Sequence, residues 1–136
     1  MTIKVLGIDH VVLRVADVER ALAFYCDVLG CREERRVADI GLIQLRAGAA
    51  LIDLVGVDSE LGRAGGAAPG AEGRNVDHVA LRIEVFDEAA LRTHLEAHGV
   101  AAGEVKRRYG AEGDGPSLYI EDPDGNTVEL KGPADG

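Results

Sequence analysis

Ile8-Asp9-His10-Val11-Val12-Leu13-Arg14-Val15 returns later in the chain as Val76-Asp77-His78-Val79-Ala80-Leu81-Arg82-Ile83. Asp, His, Val, Leu and Arg recur in the same places. The other positions exchange Ile for Val, Val for Ala and Val for Ile. A repeat of this kind sets the architecture, so it is read first. Each copy predicts a strand, because β-branched residues are dense and Gly and Pro are absent. Alternate side chains on a strand point to opposite faces. His10 therefore shares a face with Ile8, Val12 and Arg14, and His78 shares one with Val76, Ala80 and Arg82. Taken singly, each His reads as a half-buried sheet residue with a hydrogen-bonding partner. Taken together, two His at one repeat position point to a shared site, because a duplicated fold brings equivalent positions together.

Outward from the first copy, Asp17 reads as the N-cap of a helix running to about Leu29. Val18, Ala21, Leu22, Tyr25, Val28 and Leu29 form one apolar stripe at helical spacing, and Gly30 supplies a left-handed stop. Three strand-like segments follow: Cys31 to Val37, Gly41 to Arg46, and Ala50 to Val55. The order is βαβββ. After the second copy the order returns. Asp87 is a candidate cap, Leu91 and Leu95 mark a helix that stops at Gly99, and strand-like pieces cover Val105 to Tyr109, Ser117 to Glu121 and Thr127 to Lys131. Gly110 to Pro116 reads as a mobile connection, and Pro123-Asp124-Gly125-Asn126 as a turn. Between the units, residues 57–75 are Gly-rich and aperiodic. They read as a linker, or as a lid or strap. We expect a single domain: one module to about residue 56, the linker, and a second module over about 76–132.

A chain of 136 residues suffices for one domain with a core, or for two modules sharing one. The hydrophobic fraction of 46% excludes a disordered chain. A net charge of −9 argues against a nucleic-acid partner. No apolar run reaches membrane-spanning length and the N-terminus lacks a signal-peptide pattern, so we expect a soluble, cytoplasmic protein with no membrane partner. Cys26 and Cys31 lack zinc-motif spacing and read as reduced thiols.

The last strands of the two units also correspond. Ile52-Asp53-Leu54-Val55-Gly56 aligns with Val128-Glu129-Leu130-Lys131-Gly132. Each unit thus offers a His on its first strand and a carboxylate, Asp53 or Glu129, on its last. Apolar neighbours frame both carboxylates, and burial is costly unless the charge is paired or metal-bound. Two imidazoles and one or two carboxylates suit zinc, nickel, manganese or iron(II). The same four residues also read as relics of duplication without metal. Arg14 and Arg82 lie two residues beyond the histidines and read either as anchors for an anionic, carboxylate-bearing substrate or as sheet-edge ion pairs. Tyr119 is a candidate cavity-lining residue. Lys131, near the chain end, is expected to be solvent-exposed. His94 and His98 read as structural or surface residues.

At these residues the sequence resembles the vicinal oxygen chelate superfamily, which includes glyoxalase I, bleomycin-resistance proteins and extradiol dioxygenases. Ile8-Asp9-His10, Ala23-Phe24-Tyr25-Cys26-Asp27-Val28-Leu29-Gly30, Val76-Asp77-His78 and the run from Glu121 through Asp122-Pro123-Asp124-Gly125-Asn126-Thr127-Val128-Glu129-Leu130 carry the resemblance. It implies an α+β fold of two paired βαβββ modules, forming a curved, mostly antiparallel sheet around a metal cavity. It implies metal ligands at His10, His78 and Glu129, with Asp53 where glyoxalase I has a metal-binding Glu. It implies a divalent ion (zinc or nickel, with iron(II) or manganese as alternatives), a small-molecule substrate and a homodimer. Arg14 and Arg74 match arginines that contact glutathione in some members. The activity implied is a lyase or isomerase in which Glu129 or Asp53 moves a proton and the metal stabilises an enediolate. A three-ligand iron(II) dioxygenase and a metal-free, bleomycin-resistance-like binding protein are the alternatives.

Overall fold

The computed structural model describes residues 1–136. The chain divides into two compact units, Met1–Pro69 and Gly70–Gly136. Each carries a four-stranded mixed sheet with helices, so the fold is α+β.

The first unit runs β1 (His10–Val15), α1 (Val18–Ala23), β2 (Arg32–Val37), β3 (Leu42–Ala47), β4 (Ala50–Gly56) and a short α2 (Glu60–Arg63). Asp17 caps α1 by accepting from the Arg20 amide. The helix does not stay regular to its end, because Phe24–Val28 form a π-helical turn. Phe24 and Tyr25 lie in this wider turn, both buried, ring edge to ring face with centroids 5.1 Å apart. Gly30 follows at φ 76, where a side chain would be strained. The strand order is β1-β4-β3-β2. β1 returns parallel to β4 after the helical crossover, while β2, β3 and β4 form an antiparallel meander. Leu13, Val15, Leu45, Ile52 and Leu54 are fully or nearly fully buried and make the core, with Ala21 and Tyr25 from the helix.

The second unit repeats the plan: β5 (Val79–Arg82), α3 (Glu88–Ala97, capped by Asp87), β6 (Lys106–Gly110), β7 (Gly113–Glu121) and β8 (Thr127–Lys131). The order is β5-β8-β7-β6, again with one parallel pair. Leu95, Leu118, Ile120, Val128 and Leu130 form its core.

Three expectations are corrected. The repeat strands are shorter than their β-branched runs, because a strand needs a partner: β1 begins where β4 begins, and Ile8 is left exposed. Gly110 to Pro116 is not a loose connection. β6 and β7 pair continuously down to Gly110 and Gly113, with only Ala111 and Glu112 at the turn. The glycines are there for space, since a Cβ on Gly115 would stand 2.5 Å from the Pro133 carbonyl oxygen. Part of the Gly-rich segment is also ordered: Ser59 caps α2 by accepting from the Gly62 amide. No helix is long and apolar enough to cross a membrane.

Gly56 and Gly132 end matching strands but meet different surroundings. A Cβ on Gly132 would lie 2.6 Å from Phe86 Cβ, whereas one on Gly56 meets only Val18 at 3.6 Å. Gly132→Ala should therefore lower unfolding free energy by about 1–3 kcal/mol in urea titration, as overpacking does. Gly56→Ala should change it by less than about 1 kcal/mol.

Candidate functional site

The parallel pairing of first and last strand positions the chemistry in each unit. His10 sits opposite Leu51 and Val12 opposite Asp53, so His10 and Asp53 share one face of the first sheet, a step apart. In the second sheet Ala80 sits opposite Glu129, which places His78 in the same relation to that carboxylate.

In the first unit His10 Nε2 lies 4.0 Å from Asp53 Oδ2, and His10 Nδ1 lies 2.7 Å from Asp9 Oδ2. Asp53 is 4% exposed although its neighbours in sequence are core residues. Gln44, directly across on β3, donates from Nε2 to both its oxygens, at 3.3 and 3.1 Å. The hydrogen bond to Asp9, followed by the Asp53 charge, raises the His10 imidazole above its ordinary value.

The second unit repeats the arrangement more tightly. His78 Nε2 lies 3.3 Å from Glu129 Oε1, and His78 Nδ1 lies 2.7 Å from Asp77 Oδ2. Glu129 is 6% exposed. Its cross-strand partner is Tyr119, whose ring stands edge-on to the His78 ring with centroids 5.5 Å apart. The Arg108 guanidinium stacks 4.2 Å over the same tyrosine. The hydrogen bond from His78, and then the charge of Arg74, hold the Asp77 carboxyl below its usual value.

The donor chemistry fits a divalent metal. Where Asp9 and Asp77 take the Nδ1 protons, each Nε2 presents a lone pair toward a buried carboxylate. Two electron-rich groups at such range need a proton or a cation between them. Carboxylate-held imidazoles with Nε2 free are the usual outer arrangement of histidine metal ligands. Within each unit the donors come as a pair, and no group of three or more His, Cys, Asp or Glu side chains gathers at one point.

Other sequence candidates find different places. Arg14 Nη1 donates to the carbonyls of Gly62 and Gly66, and Nη2 to that of Ala67, at 3.3, 3.1 and 3.0 Å. Those bonds occupy donors that an anionic substrate needs. Arg74 pairs with Asp77 at 3.3 Å and so acts on the His78 partner. Arg82 pairs with Glu112 at 2.5 Å, the sheet-edge alternative. His94 on α3 and His98 at its C-cap pack ring against ring, with centroids 4.7 Å apart. Burial pushes the Cys31 thiol up to about 11 and also raises Cys26, so neither is an activated nucleophile. Lys131 is a correction: it is 6% exposed rather than solvated, because glycines on the neighbouring hairpin make room for its side chain.

Gln44, Arg108 and the orienting roles of Asp9 and Asp77 were not legible from the residue pattern. The recurrence of Asp before each His was the available signal for the last two. The Asp122 to Asn126 turn contributes no donor to either pair. Asp122 Oδ1 accepts from the amides of Asp124 and Asn126, and Oδ2 accepts from the Asn126 side chain, which sets the start of β8 and hence Glu129.

Residues 7–130 match the model of the Glyoxalase/Bleomycin resistance protein/Dioxygenase superfamily. The chain is 32% identical over 135 residues to a lactoylglutathione lyase of Salmonella typhimurium, covering 89% of this chain and 88% of that one. It is 30% identical over 128 residues to the virulence protein STM3117 of the same organism, covering 90% and 81%. An integron cassette protein from the mobile metagenome of V. cholerae has a similar structure, with a TM-score of 0.75, 31% identity, and coverage of 98% and 100%.

In metal-free protein, His10 should titrate above the ordinary histidine value of 6.5. Its raised folded value means that this contact stabilises the fold at pH below the unfolded value and loses its contribution as pH rises through the folded one. Asp9→Asn should lower the His10 midpoint more than Asp53→Asn, measured by imidazole NMR shifts across pH.

Proposed function

The chain belongs to the Glyoxalase/Bleomycin resistance protein/Dioxygenase superfamily, and from that premise we propose that it is a divalent-metal-dependent enzyme of the glyoxalase I-like type, a lyase or isomerase of small α-oxygenated carbonyl compounds. The approach of His78 Nε2 to Glu129 Oε1 at 3.3 Å, with Nδ1 committed to Asp77, carries this reading. His10 and Asp53 repeat it at 4.0 Å. The proposed donors are His10, Asp53, His78 and Glu129, the proposed ion is zinc or nickel, and the proposed assembly is a homodimer.

A bound divalent ion supplies Lewis-acid polarisation of a substrate carbonyl and stabilises the enediolate charge. The residues of the chain do the rest. Asp9 and Asp77 hold the two imidazoles in one tautomer and one orientation. Glu129 takes the proton from the carbon beside the carbonyl and returns it to the adjacent carbon, so no proton is gained or lost overall. Its burial between Val128 and Leu130 keeps bulk water from competing for that proton. Tyr119, opposite Glu129, lines the substrate side.

A second reading, an iron(II) extradiol-type dioxygenase with His10, His78 and Glu129 as its three donors, has one observation in its favour. Gln44 hydrogen-bonds both Asp53 oxygens, whereas no amide holds Glu129. Two histidines and one carboxylate suit a non-haem iron site.

Elemental analysis of protein purified and then reconstituted with zinc, nickel, iron(II) or manganese tests both readings. We expect about one ion per site, lost in His10→Ala, His78→Ala and Glu129→Ala. Glu129→Gln should lower kcat on the hemithioacetal of methylglyoxal and glutathione by about 10²–10⁴. Unchanged metal affinity in Asp53→Ala, together with oxygen uptake on catechols, would favour the dioxygenase. No uptake of any of the four ions would sink both and leave a binding protein.

A further inference from the structure

Lys131 has no place in the chemistry above, yet it is only 6% exposed. It alternates with Leu130 and so shares the face of Glu129. Its ammonium makes one hydrogen bond, to the neighbouring Gly132 carbonyl at 3.2 Å, and no ion pair. A buried ammonium without an anion is costly, and such a group is retained only where something compensates. The surroundings are built for it. Nζ lies 3.0 Å from where a Cβ on Gly115 would stand, so the missing side chain there leaves the ammonium its place over β7, while a Cβ on Gly110 would make ordinary contact with it at 3.9 Å.

The neighbours on that face are donors. Ser117, fully buried, is the cross-strand partner of Lys131. Its Oγ accepts from Arg108 Nη1 at 2.7 Å, which leaves the hydroxyl proton to donate elsewhere. Arg108 also forms no ion pair, and its guanidinium covers the Tyr119 ring that adjoins His78. Of the other cations on this face, Arg82 is already satisfied by Glu112, and Lys106, across from Ser117 on the edge strand, is exposed. In a chain of net charge −9, two cations without carboxylate partners therefore share this face with a buried hydroxyl, Arg108 bonded to it and Lys131 on the residue across the strand from it.

We propose that Lys131, Arg108 and Ser117 form a binding site for a carboxylate group of the substrate, next to the reacting carbon. Lys131 supplies a buried point charge, Arg108 a planar fork and Ser117 a hydroxyl donor. The proposal rests on the placement of the reaction at Glu129 and adds a substrate class to it: carbonyl compounds that also carry a carboxylate. Lys131 is a binding and positioning residue here, not the base.

Calorimetric titration with glutarate, and with butyrate as the analogue lacking one carboxylate, tests it on both zinc-loaded and chelator-treated protein. We expect wild type to prefer glutarate by about tenfold or more, in proportion to one added charge-assisted contact. Lys131→Met and Arg108→Gln should each remove about tenfold of glutarate affinity and leave butyrate unchanged. Lys131→Arg should retain most of it. Arg107→Gln, on the opposite face and paired with Asp135, should change nothing. Lys131→Met should also raise Tm by a few degrees, because it relieves an unpaired buried charge. Equal glutarate affinity in wild type and Lys131→Met would overturn the proposal, as would equal affinity of wild type for glutarate and butyrate. A Lys131→Met chain that unfolds or melts lower would assign the lysine to the fold instead and overturn it too. Failure to bind zinc would count against the metal enzyme alone, since the chelator-treated protein still reports on the carboxylate site.

Discussion

A carboxylate cannot remain in an apolar sheet without a partner, and both units are arranged to provide one. Asp53 and Glu129 sit on strands whose adjacent residues fill the core, so each is drawn in with its neighbours. The parallel pairing of β1 with β4 and of β5 with β8 then delivers a histidine to the same face, one step away. The crossover helix matters because only a parallel return places the start of the first strand beside the middle of the last. Were either register to slip by one residue, the histidine and the carboxylate would point to opposite faces.

The two pairs are not equivalent. Asp53 is a methylene shorter than Glu129, stands 4.0 Å from its histidine, and is held on both oxygens by Gln44. Glu129 stands 3.3 Å from His78 and has an aromatic ring opposite it in place of an amide. A carboxylate bonded on both oxygens by an amide is fixed in place, whereas one without such a donor keeps its lone pairs open. This difference is why the proposed proton chemistry is placed at Glu129. It is also where the two proposed readings part, at Asp53.

Glycine does structural work in places where composition suggests slack. The segment after β4 wraps its carbonyls around the Arg14 guanidinium, and a Cβ on Gly65 would stand 2.6 Å from Nη1. Gly115 does the same for Lys131, whose Nζ would stand 3.0 Å from a Cβ there. In both cases a cationic side chain occupies the space that absent Cβ atoms leave, and backbone carbonyls accept from it.

The repeat, the caps at Asp17 and Asp87, the stops at Gly30 and Gly99, the βαβββ order and the pairing of a histidine with a carboxylate in each unit were all legible in the sequence. Each depends on residue type and local spacing, and period-two alternation is enough to put His10 and Asp53 on definable faces. The fates of Arg14, Gln44, Arg108 and Lys131 were not legible, because each depends on a partner distant in sequence. Gln44 meets Asp53 only through the register of β3 on β4. Lys131, four residues after a turn-flanked strand begins and close to the chain end, reads as a surface lysine until β7 brings its glycines alongside. Local chemistry determined which residues are able to act. Strand register and the space left by glycine, both properties of the folded sheet, decided which of them are free to do so.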